Sequence, residues 1–313
     1  MKFYVLTSGN LNALKRHNDP EFSNILKKDT VIVINSLDES YVQEATEYCK
    51  VENLEHYITE SNGTPSKGKN SVFDIFLASD NDYCVLIDGD DFLTPHGVWM
   101  YKHLEELETP PDAVCLINQI SVQLENNTLY FVTPFTVDYY YLLSTSSYDT
   151  FKNYYGLSHE KSVYFDSLTT KYYEEQQKYS EGSEVHCRVT WFSRKAAMIR
   201  FNEDLIIGED TLQMLELKHE ALEGRLNVYT TDEKPATYIY DQREGGTVVI
   251  ETNFGEDCEW MDTYLKALED IEHVGKLHEN TRLPELQIQY PQDYIYNDLG
   301  LTEPNTYTLK VAA

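Results

Sequence analysis

Short runs of consecutive apolar residues alternate along the chain with longer segments in which apolar residues recur every three or four positions. The first runs cover residues 3–6, 30–34 and 83–87. Each is short and bounded by polar or turn residues, as is typical of a strand buried on both faces. Helical periodicity follows the first two runs. This alternation predicts an α/β fold with a mostly parallel sheet flanked by helices.

The remaining pattern predicts further elements of both kinds. Strands are predicted over residues 54–59, 113–122, 129–135, 185–192, 227–230 and 236–240. Helices are predicted from about residue 11 and over residues 39–50, 72–79, 96–108, 193–199, 212–222 and 256–276.

Acidic residues follow the third apolar run at once: Asp88, Asp90 and Asp91. Thr94 and Pro95 then supply an N-cap and a first helical position. The acids are therefore expected at the carboxyl end of a sheet strand, where open α/β sheets bind ligands. Clustered carboxylates repel one another unless a cation is present, and oxygen ligands favour Mg²⁺ or Mn²⁺. A solvated acidic turn is the alternative interpretation of these residues.

A loop at residues 62–70 contains Lys67 and Lys69 and leads into the helix predicted over 72–79. The dipole at a helix start disfavours cations unless an anion is bound. Backbone N–H groups at that start, together with two ammonium groups, suit a diphosphate. Lysines that only increase solubility explain the same loop.

A second acidic pair, Glu209 and Asp210, follows Gly208 and precedes an amphipathic segment that runs to Gly224. An acidic residue at a helix start stabilises the helix by itself. Helix capping is therefore one interpretation of this pair, and a catalytic role is the other.

Taken together, these segments resemble the family 2 glycosyltransferases of the GT-A fold. The resemblance rests on four motifs: the Asn-Gly turn at 62–63, Lys69-Asn70 at a helix start, Leu-Ile-Asp-Gly-Asp-Asp at 86–91 with the Thr-Pro helix start after it, and Gly-Glu-Asp at 208–210. It implies a Rossmann-related GT-A-like catalytic domain over residues 1–250, with a mixed, mostly parallel sheet.

In the resembled family, the first acidic motif holds a divalent metal against the diphosphate of the donor, and a carboxylate of the second motif acts as the base. The resemblance thus implies that Asp90, Asp88 and Asp91 bind Mn²⁺ or Mg²⁺. It implies catalysis by Asp210, with Glu209 beside it. The implied reaction is metal-dependent, inverting transfer of a sugar from a nucleotide-diphosphate sugar to a hydroxyl acceptor.

The resemblance also implies a set of donor-binding residues. They are Thr7, Ser8, Asn10, Asn35, Asp38, Lys67, Lys69, Asn70, Asp88 and Arg243. Asn35 and Asp38 lie near the position at which the family usually has an Asp that contacts the base. Lys69 stands where the family commonly has Arg, so it keeps the charge but loses bidentate geometry. A UDP-sugar is the first expectation for the donor.

Two segments lie outside the core of this prediction. Residues 136–185 are dense in tyrosine, which suits an insertion on the acceptor side, although tyrosine also fills half-buried surfaces. Residues 251–313 are expected to form a C-terminal helix and an extended tail packed on the domain.

The net charge of the chain limits the kinds of molecule that it can bind. The 313 residues include 25 Lys and Arg against 53 Asp and Glu, a formal net charge of −28. Such a field opposes binding to nucleic-acid phosphates or to an anionic membrane. Duplex DNA is therefore disfavoured as the acceptor, while a modified base stays open. A hydroxyl of a carbohydrate is the acceptor that the resemblance implies. An anionic donor requires a locally basic site.

The remaining features indicate a cytoplasmic protein. The 5 cysteines are an odd number, widely spaced and without a CxxC pair, which favours reduced thiols. The first apolar run is too short for a signal peptide, and no stretch approaches the ~20 apolar residues of a membrane span.

Other classes compete with this interpretation. A haloacid-dehalogenase-like phosphatase also has Asp-x-Asp after a buried strand, but near the start of its domain and with Thr or Val where this chain has Phe92. A sugar nucleotidylyltransferase would show a glycine-rich loop after its first strand. A non-catalytic carbohydrate-binding protein of the same fold stays open.

Overall fold

The computed structural model describes residues 1–18, 25–93, 95–116, 120–125, 128–132, 188–206, 208–231, 238–242, 283–284 and 286. Its strands are β1 (Lys2–Thr7), β2 (Thr30–Asn35), β3 (Glu55–Thr59), β4 (Tyr83–Asp88), β5 (Phe92–Leu93), β6 (Ala113–Leu116), β7 (Ile120–Glu125), β8 (Thr128–Val132), β9 (Arg188–Ser193), β10 (Val228–Thr231) and β11 (Tyr238–Gln242). Its α-helices are α1 (Leu11–Arg16), α2 (Glu39–Val51), α3 (Pro65–Ala78), α4 (Pro95–Glu105) and α5 (Glu209–Leu222), with short 3₁₀ turns at Lys27–Asp29 and Ala196–Met198.

The larger sheet has seven of the described strands, in the order β10-β6-β9-β4-β1-β2-β3. Strands β1, β2, β3 and β4 pair in parallel, as do β6 and β10. Strand β9 lies antiparallel between β4 and β6. The predicted α/β fold with a mixed, mostly parallel sheet is therefore confirmed.

Helices cover both faces of this sheet because successive strand residues point to opposite sides. On one side, Tyr4 and Leu6 pack in a cluster with Phe73 and Phe76 of α3 and with apolar residues of α5. On the other side, Phe3 and neighbouring strand residues pack with apolar residues of α1, α2 and α4. The result is a three-layer arrangement with the sheet at its centre.

A smaller sheet of four described strands has the order β5-β11-β7-β8. The single strand predicted over residues 113–122 is wrong, because its two parts belong to different sheets. Residues 113–116 are uniformly apolar and buried, whereas residues 120–125 alternate apolar and polar side chains. The change from a continuous apolar run to an alternating one marks the passage from one strand to the next.

Helix α3 begins seven residues earlier than the predicted 72–79 segment. Thr64 is its N-cap and accepts a hydrogen bond from the Lys67 N–H at 3.2 Å, and Pro65 occupies the first helical position. This start places Lys67 and Lys69 within the first turns of the helix, two positions apart, instead of in the preceding loop. Because residues one and two positions apart face different ways on a helix, the two lysines point to different surroundings.

Part of the C-terminal region meets the edge of the larger sheet. The Thr230 N–H donates to Pro284 O at 3.0 Å, and the Leu286 N–H donates to Thr230 O at 2.7 Å. Leu283 is buried in the cluster beneath α3 and α5. The predicted insertion at 136–185, the helix predicted over 256–276 and Arg243 lie outside the described residues.

Within the described part of the chain, none of the helices combines the length and the apolar character needed to cross a membrane.

Candidate active site

The carboxyl end of the larger sheet gathers the polar residues that the sequence singled out. Thr7, Asn35 and Asp88 are the last residues of the parallel strands β1, β2 and β4. Strand β9 runs the opposite way, so its first residue, Arg188, lies at the same edge, opposite Leu116 of β6. The strand directions alone therefore bring a cation to the end of the acidic strand.

The acidic turn after β4 is held close to β1 and α1. The Asp91 N–H donates to Asp88 O at 2.9 Å. A Cβ on Gly89 would lie 2.5 Å from the backbone oxygen of Leu6, so only glycine fits there without a backbone shift. At the end of α1, His17 Nε2 donates to Gly89 O at 3.0 Å and Arg16 Nη2 donates to Asp90 O at 2.7 Å.

Arg188 ties the two ends of this turn together. Its Nη1 lies 2.7 Å from Asp88 Oδ2 and 2.7 Å from Asp91 Oδ2. The same nitrogen donates to the Tyr238 hydroxyl at 2.7 Å, and that hydroxyl donates to Asp91 Oδ2 at 2.7 Å. The guanidinium also lies over the Tyr238 ring, 5.0 Å from its centroid.

Burial and the shared guanidinium give Asp88 and Asp91 opposite behaviour. Burial raises the pKa of Asp91 well above its usual range, although Arg188 opposes the shift. Burial also acts on Asp88, but Lys69 and Arg188 outweigh it and lower the pKa of that carboxyl. Asp88 therefore carries the charge that Arg188 balances, and Asp91 favours its protonated form.

Lys69 joins the first acidic motif to the second. Its side chain is 3% exposed, and its Nζ lies 2.6 Å from Asp210 Oδ1, 2.8 Å from Glu209 Oε1 and 3.9 Å from Asp88 Oδ2. Burial alone would lower the pKa of Lys69, but the three carboxylates raise it above its usual value. The ammonium is thus fixed between two motifs that lie far apart in the sequence.

The two residues of the second motif differ in exposure. Glu209 is 9% exposed, and burial raises the pKa of its carboxyl. Asp210 is 26% exposed, and its Oδ2 lies 3.8 Å from Arg188 Nη2. Both stand at the start of α5, after Gly208 with its left-handed φ of 82°. Asp210 is therefore the more accessible carboxylate of the pair.

Lys67 and Asn70 of α3 lie away from this cluster. The Lys67 Nζ is 3.3 Å from Glu203 Oε2, and its side chain is 33% exposed. Asn70 is buried and bonds to Phe201 and Glu203 in the segment that leads to the second motif. Their predicted role in donor binding stays a prediction.

The residues predicted around the donor nucleotide contribute to local structure at the ends of β1 and β2. At the end of β1, the Thr7 hydroxyl hydrogen bonds to the Tyr41 hydroxyl, Ser8 is exposed, and Asn10 caps α1. At the end of β2, the Asn35 amide donates to Thr59 Oγ1 and to Glu60 O. Asp38 caps α2. Their contact with a nucleotide also stays a prediction.

The sequence did not reveal Arg188, Tyr238, Arg16 or His17 as site residues. Arg188 lies in a segment predicted as a strand, but no motif marks it, and the pattern does not give the strand direction. A basic residue inside the strand predicted over residues 185–192 was the one signal available.

The carboxylates of the site outnumber its cations. Among the described residues, no three His, Cys, Asp or Glu side chains are arranged to hold a metal ion. Even with Asp91 in its protonated form, the four carboxylates of Asp88, Asp90, Glu209 and Asp210 stand against the three cationic side chains of Arg16, Lys69 and Arg188. This excess favours an added cation electrostatically. Asp90 is only partly buried and offers the hard oxygen that Mg²⁺ takes from one or two carboxylates, with diphosphate and water completing the shell.

Comparisons with known proteins give distant likenesses. No protein-family model matches the chain, and no curated protein sequence matches it. Among solved structures, residues 1–349 of S. aureus TarS in complex with UDP-GlcNAc match at a TM-score of 0.44 and 13% identity, over 90% of this chain and 77% of that one. The mannosyltransferase PcManGT from Pyrobaculum calidifontis, in complex with GDP-Man and Mn²⁺, matches at a TM-score of 0.41 and 11% identity, over 85% of this chain and 68% of that one.

Proposed function

We propose that this protein transfers a sugar from a nucleotide-diphosphate sugar to a hydroxyl acceptor, at the carboxyl end of its larger sheet. The observation that carries the proposal is the position of the Lys69 ammonium, whose nitrogen lies 3.9 Å from Asp88 Oδ2, 2.8 Å from Glu209 Oε1 and 2.6 Å from Asp210 Oδ1. Because one ammonium group lies between carboxylates of both acidic motifs, the two motifs belong to a single site in this proposal. The resemblance noted in the sequence assigns these motifs to donor and acceptor chemistry.

Asp210 is the general base in this proposal. A base must reach the acceptor hydroxyl, and Asp210 is more exposed than its neighbour Glu209. The positive end of α5 and the Lys69 ammonium both lie beside its carboxylate. Asp210 would take the hydroxyl proton as the acceptor oxygen bonds to the anomeric carbon, on the face opposite the leaving diphosphate. The sugar would then invert.

Asp90 is the proposed protein ligand of a Mn²⁺ or Mg²⁺ ion that binds together with the donor. When bound, such an ion neutralises the charge that develops on the departing diphosphate. Asp88 and Asp91 support the same turn through Arg188, which lies 2.7 Å from both. UDP is the first nucleotide to test, and a carbohydrate hydroxyl is the proposed acceptor.

Thermal unfolding with a panel of nucleotide diphosphates tests the donor and metal proposals, because a ligand that binds the folded state raises Tm. We expect UDP with Mn²⁺ to raise Tm more than either component alone. Asp90→Asn should abolish the part of the shift that needs Mn²⁺. The exposed Asp80→Asn is the matched control and should behave as the wild type. A chain whose Tm responds to no nucleotide would overturn the proposal.

The base assignment has its own test. The Asp210→Asn variant keeps a side-chain oxygen that can accept the hydrogen bond from Lys69, but its amide cannot act as a base. We expect turnover to fall by a factor of ~10² or more, with the Tm shift by UDP and Mn²⁺ nearly unchanged. Near-normal transfer by a folded Asp210→Asn variant would remove Asp210 from the role.

A further inference from the structure

We infer that Arg188 is a positioning residue of the transfer reaction: its guanidinium fixes the acidic turn of Asp88 and Asp91 relative to Asp210. The inference rests on the proposed function, because it concerns how donor and base are aligned. No sequence motif marks Arg188, and the assignment comes from its place in the fold.

The first step of the argument is topological. Strand β9 is the antiparallel member of the larger sheet and lies between β4 and β6. Residues 191–193 of β9 pair with β4, and Arg188 itself pairs with Leu116 at the carboxyl end of β6. Pairing within the sheet fixes the backbone of Arg188, which suits a residue that must set a geometry.

The second step is the number and direction of its contacts. One nitrogen of the guanidinium, Nη1, reaches Asp88 and Asp91, while the other, Nη2, lies 3.8 Å from Asp210 Oδ2. Arg188 therefore faces both acidic motifs at once through different atoms of a rigid plane. A lysine has a single nitrogen at the end of a flexible chain and cannot reproduce that geometry.

The third step concerns how the guanidinium itself is held. The Tyr238 hydroxyl accepts from Nη1 and donates to Asp91, and the Tyr238 ring lies beneath the guanidinium. Tyr238 belongs to β11 of the smaller sheet and is fully buried. Strand β11 pairs with β5, which directly follows the acidic turn. The smaller sheet thus holds both the turn and the cation that the turn contacts.

A residue of this kind affects the chemical step more than donor binding. Misplacement of a reacting group by about 1 Å can lower the rate by ~10², whereas loss of a contact made equally in the ground state and the transition state raises KM and leaves kcat unchanged. We therefore expect Arg188→Lys to lower kcat by about 10² and to leave the Kd for UDP with Mn²⁺ within about threefold of the wild type.

The experiment measures kcat, the calorimetric Kd for UDP with Mn²⁺, and Tm for wild type, Arg188→Lys and Arg188→Ala. Arg225→Lys is the matched control, because Arg225 forms an ion pair with Glu220 on the exposed surface. Guanidinium ion at millimolar concentration should restore part of the kcat of Arg188→Ala, and sodium ion at equal ionic strength should not. Tyr238→Phe, which removes one hydroxyl from the same network, should lower kcat by a smaller factor.

The outcomes separate the inference from the proposed function. If the wild type binds no nucleotide diphosphate, the proposed function fails and the inference fails with it. If the wild type transfers sugar while Arg188→Lys keeps its kcat, only the inference fails. A Kd for UDP weakened as strongly as kcat would make Arg188 a donor-binding residue instead. If the Arg188 variants fail to fold, Tyr238→Phe decides: a reduced kcat at wild-type Kd supports the inference, and an unchanged kcat overturns it.

Discussion

The side-chain amide of Asn70 forms two hydrogen bonds with the backbone of Phe201. Its Nδ2 donates to Phe201 O at 2.9 Å, and its Oδ1 accepts from the Phe201 N–H at 2.9 Å. The Nδ2 also donates to Glu203 Oε1 at 3.0 Å. Nearer the start of α3, the Ser66 hydroxyl donates to Leu205 O at 3.0 Å. Helix α3 thus fixes the segment that leads to the second acidic motif.

Asn70→Ala should lower the free energy of unfolding by about 2–3 kcal/mol, because the buried N–H and C=O of Phe201 lose their partner. Asn202→Ala is the control in the same segment, since Asn202 loses one exposed bond to the Asp204 N–H. It should cost about 0.5 kcal/mol or less. Urea unfolding of both variants gives the comparison, and equal losses would contradict the structural role of Asn70.

Lys69 and Lys67 offer a matched pair on one helix. Lys69→Met leaves the carboxylates of Glu209 and Asp210 without their buried cation, which should cost about 3–5 kcal/mol. Lys67→Met breaks a partly exposed pair with Glu203 and should cost about 1 kcal/mol or less. Urea unfolding at neutral pH measures both. Similar losses in the two variants would show that burial does not distinguish the lysines.

The sequence predicted the parts of the fold that have strong local patterns. The uniformly apolar β1, β2 and β4 were predicted to within about a residue or two, since buried parallel strands read as continuous apolar runs. The acidic turn was expected at the end of β4 because chain order alone places it there. Lys69 was singled out, together with Lys67, as a cation that suits a diphosphate, and the structure places its ammonium between the two acidic motifs.

What the sequence missed depends on contacts between distant residues. Arg188 reaches Asp88 because β9 is antiparallel, and a single apolar run does not show the direction of its strand. Tyr238 reaches Asp91 because β11 pairs with β5, a two-residue strand without a pattern of its own. The start of α3 was missed for a different reason: the capping signal of Thr64 and Pro65 was present, but the apolar periodicity begins later.

Because His17 is buried, we expect the free energy of unfolding to decrease as the pH is lowered. Burial and the neighbouring Arg16 lower the pKa of His17 to about 4 in the folded chain, against the hydrogen bond to Gly89 O. In the unfolded chain His17 has its ordinary pKa of about 6.5 and binds a proton below that pH, whereas in the folded chain it stays neutral down to about pH 4. Unfolding is therefore favoured as the pH falls from about 6.5 to about 4. Over that window the wild type should lose about 3 kcal/mol relative to His17→Gln, which cannot titrate.

Denaturant unfolding of wild type and His17→Gln at about pH 7.5, 6, 5 and 4.5, which covers the titration window, gives this difference directly. Other titrating groups contribute equally to both proteins and cancel. Parallel stability curves for the two proteins would show that His17 is not held neutral by the fold.

Gly89 lies at the closest approach between the acidic turn and β1, so its substitution tests how tightly the site is packed. An added Cβ would lie 2.5 Å from Leu6 O and 2.9 Å from Thr7 Cα, and both are backbone atoms that cannot move alone. Relief of this clash must push the turn away from β1 and stretch the bonds from Arg16 and His17. Gly89→Ala should therefore cost about 1–3 kcal/mol or more.

Gly9→Ala is the control for this substitution, because a Cβ on Gly9 would meet no atom within 4 Å. It should change the free energy of unfolding by about 0.5 kcal/mol or less. The same two variants report on function: a displaced turn moves Asp90, so Gly89→Ala should also reduce the Tm shift produced by UDP with Mn²⁺, and Gly9→Ala should retain it. A Gly89→Ala variant as stable as Gly9→Ala would mean that the turn has room to move and that its tight packing against β1 does not set the position of Asp90.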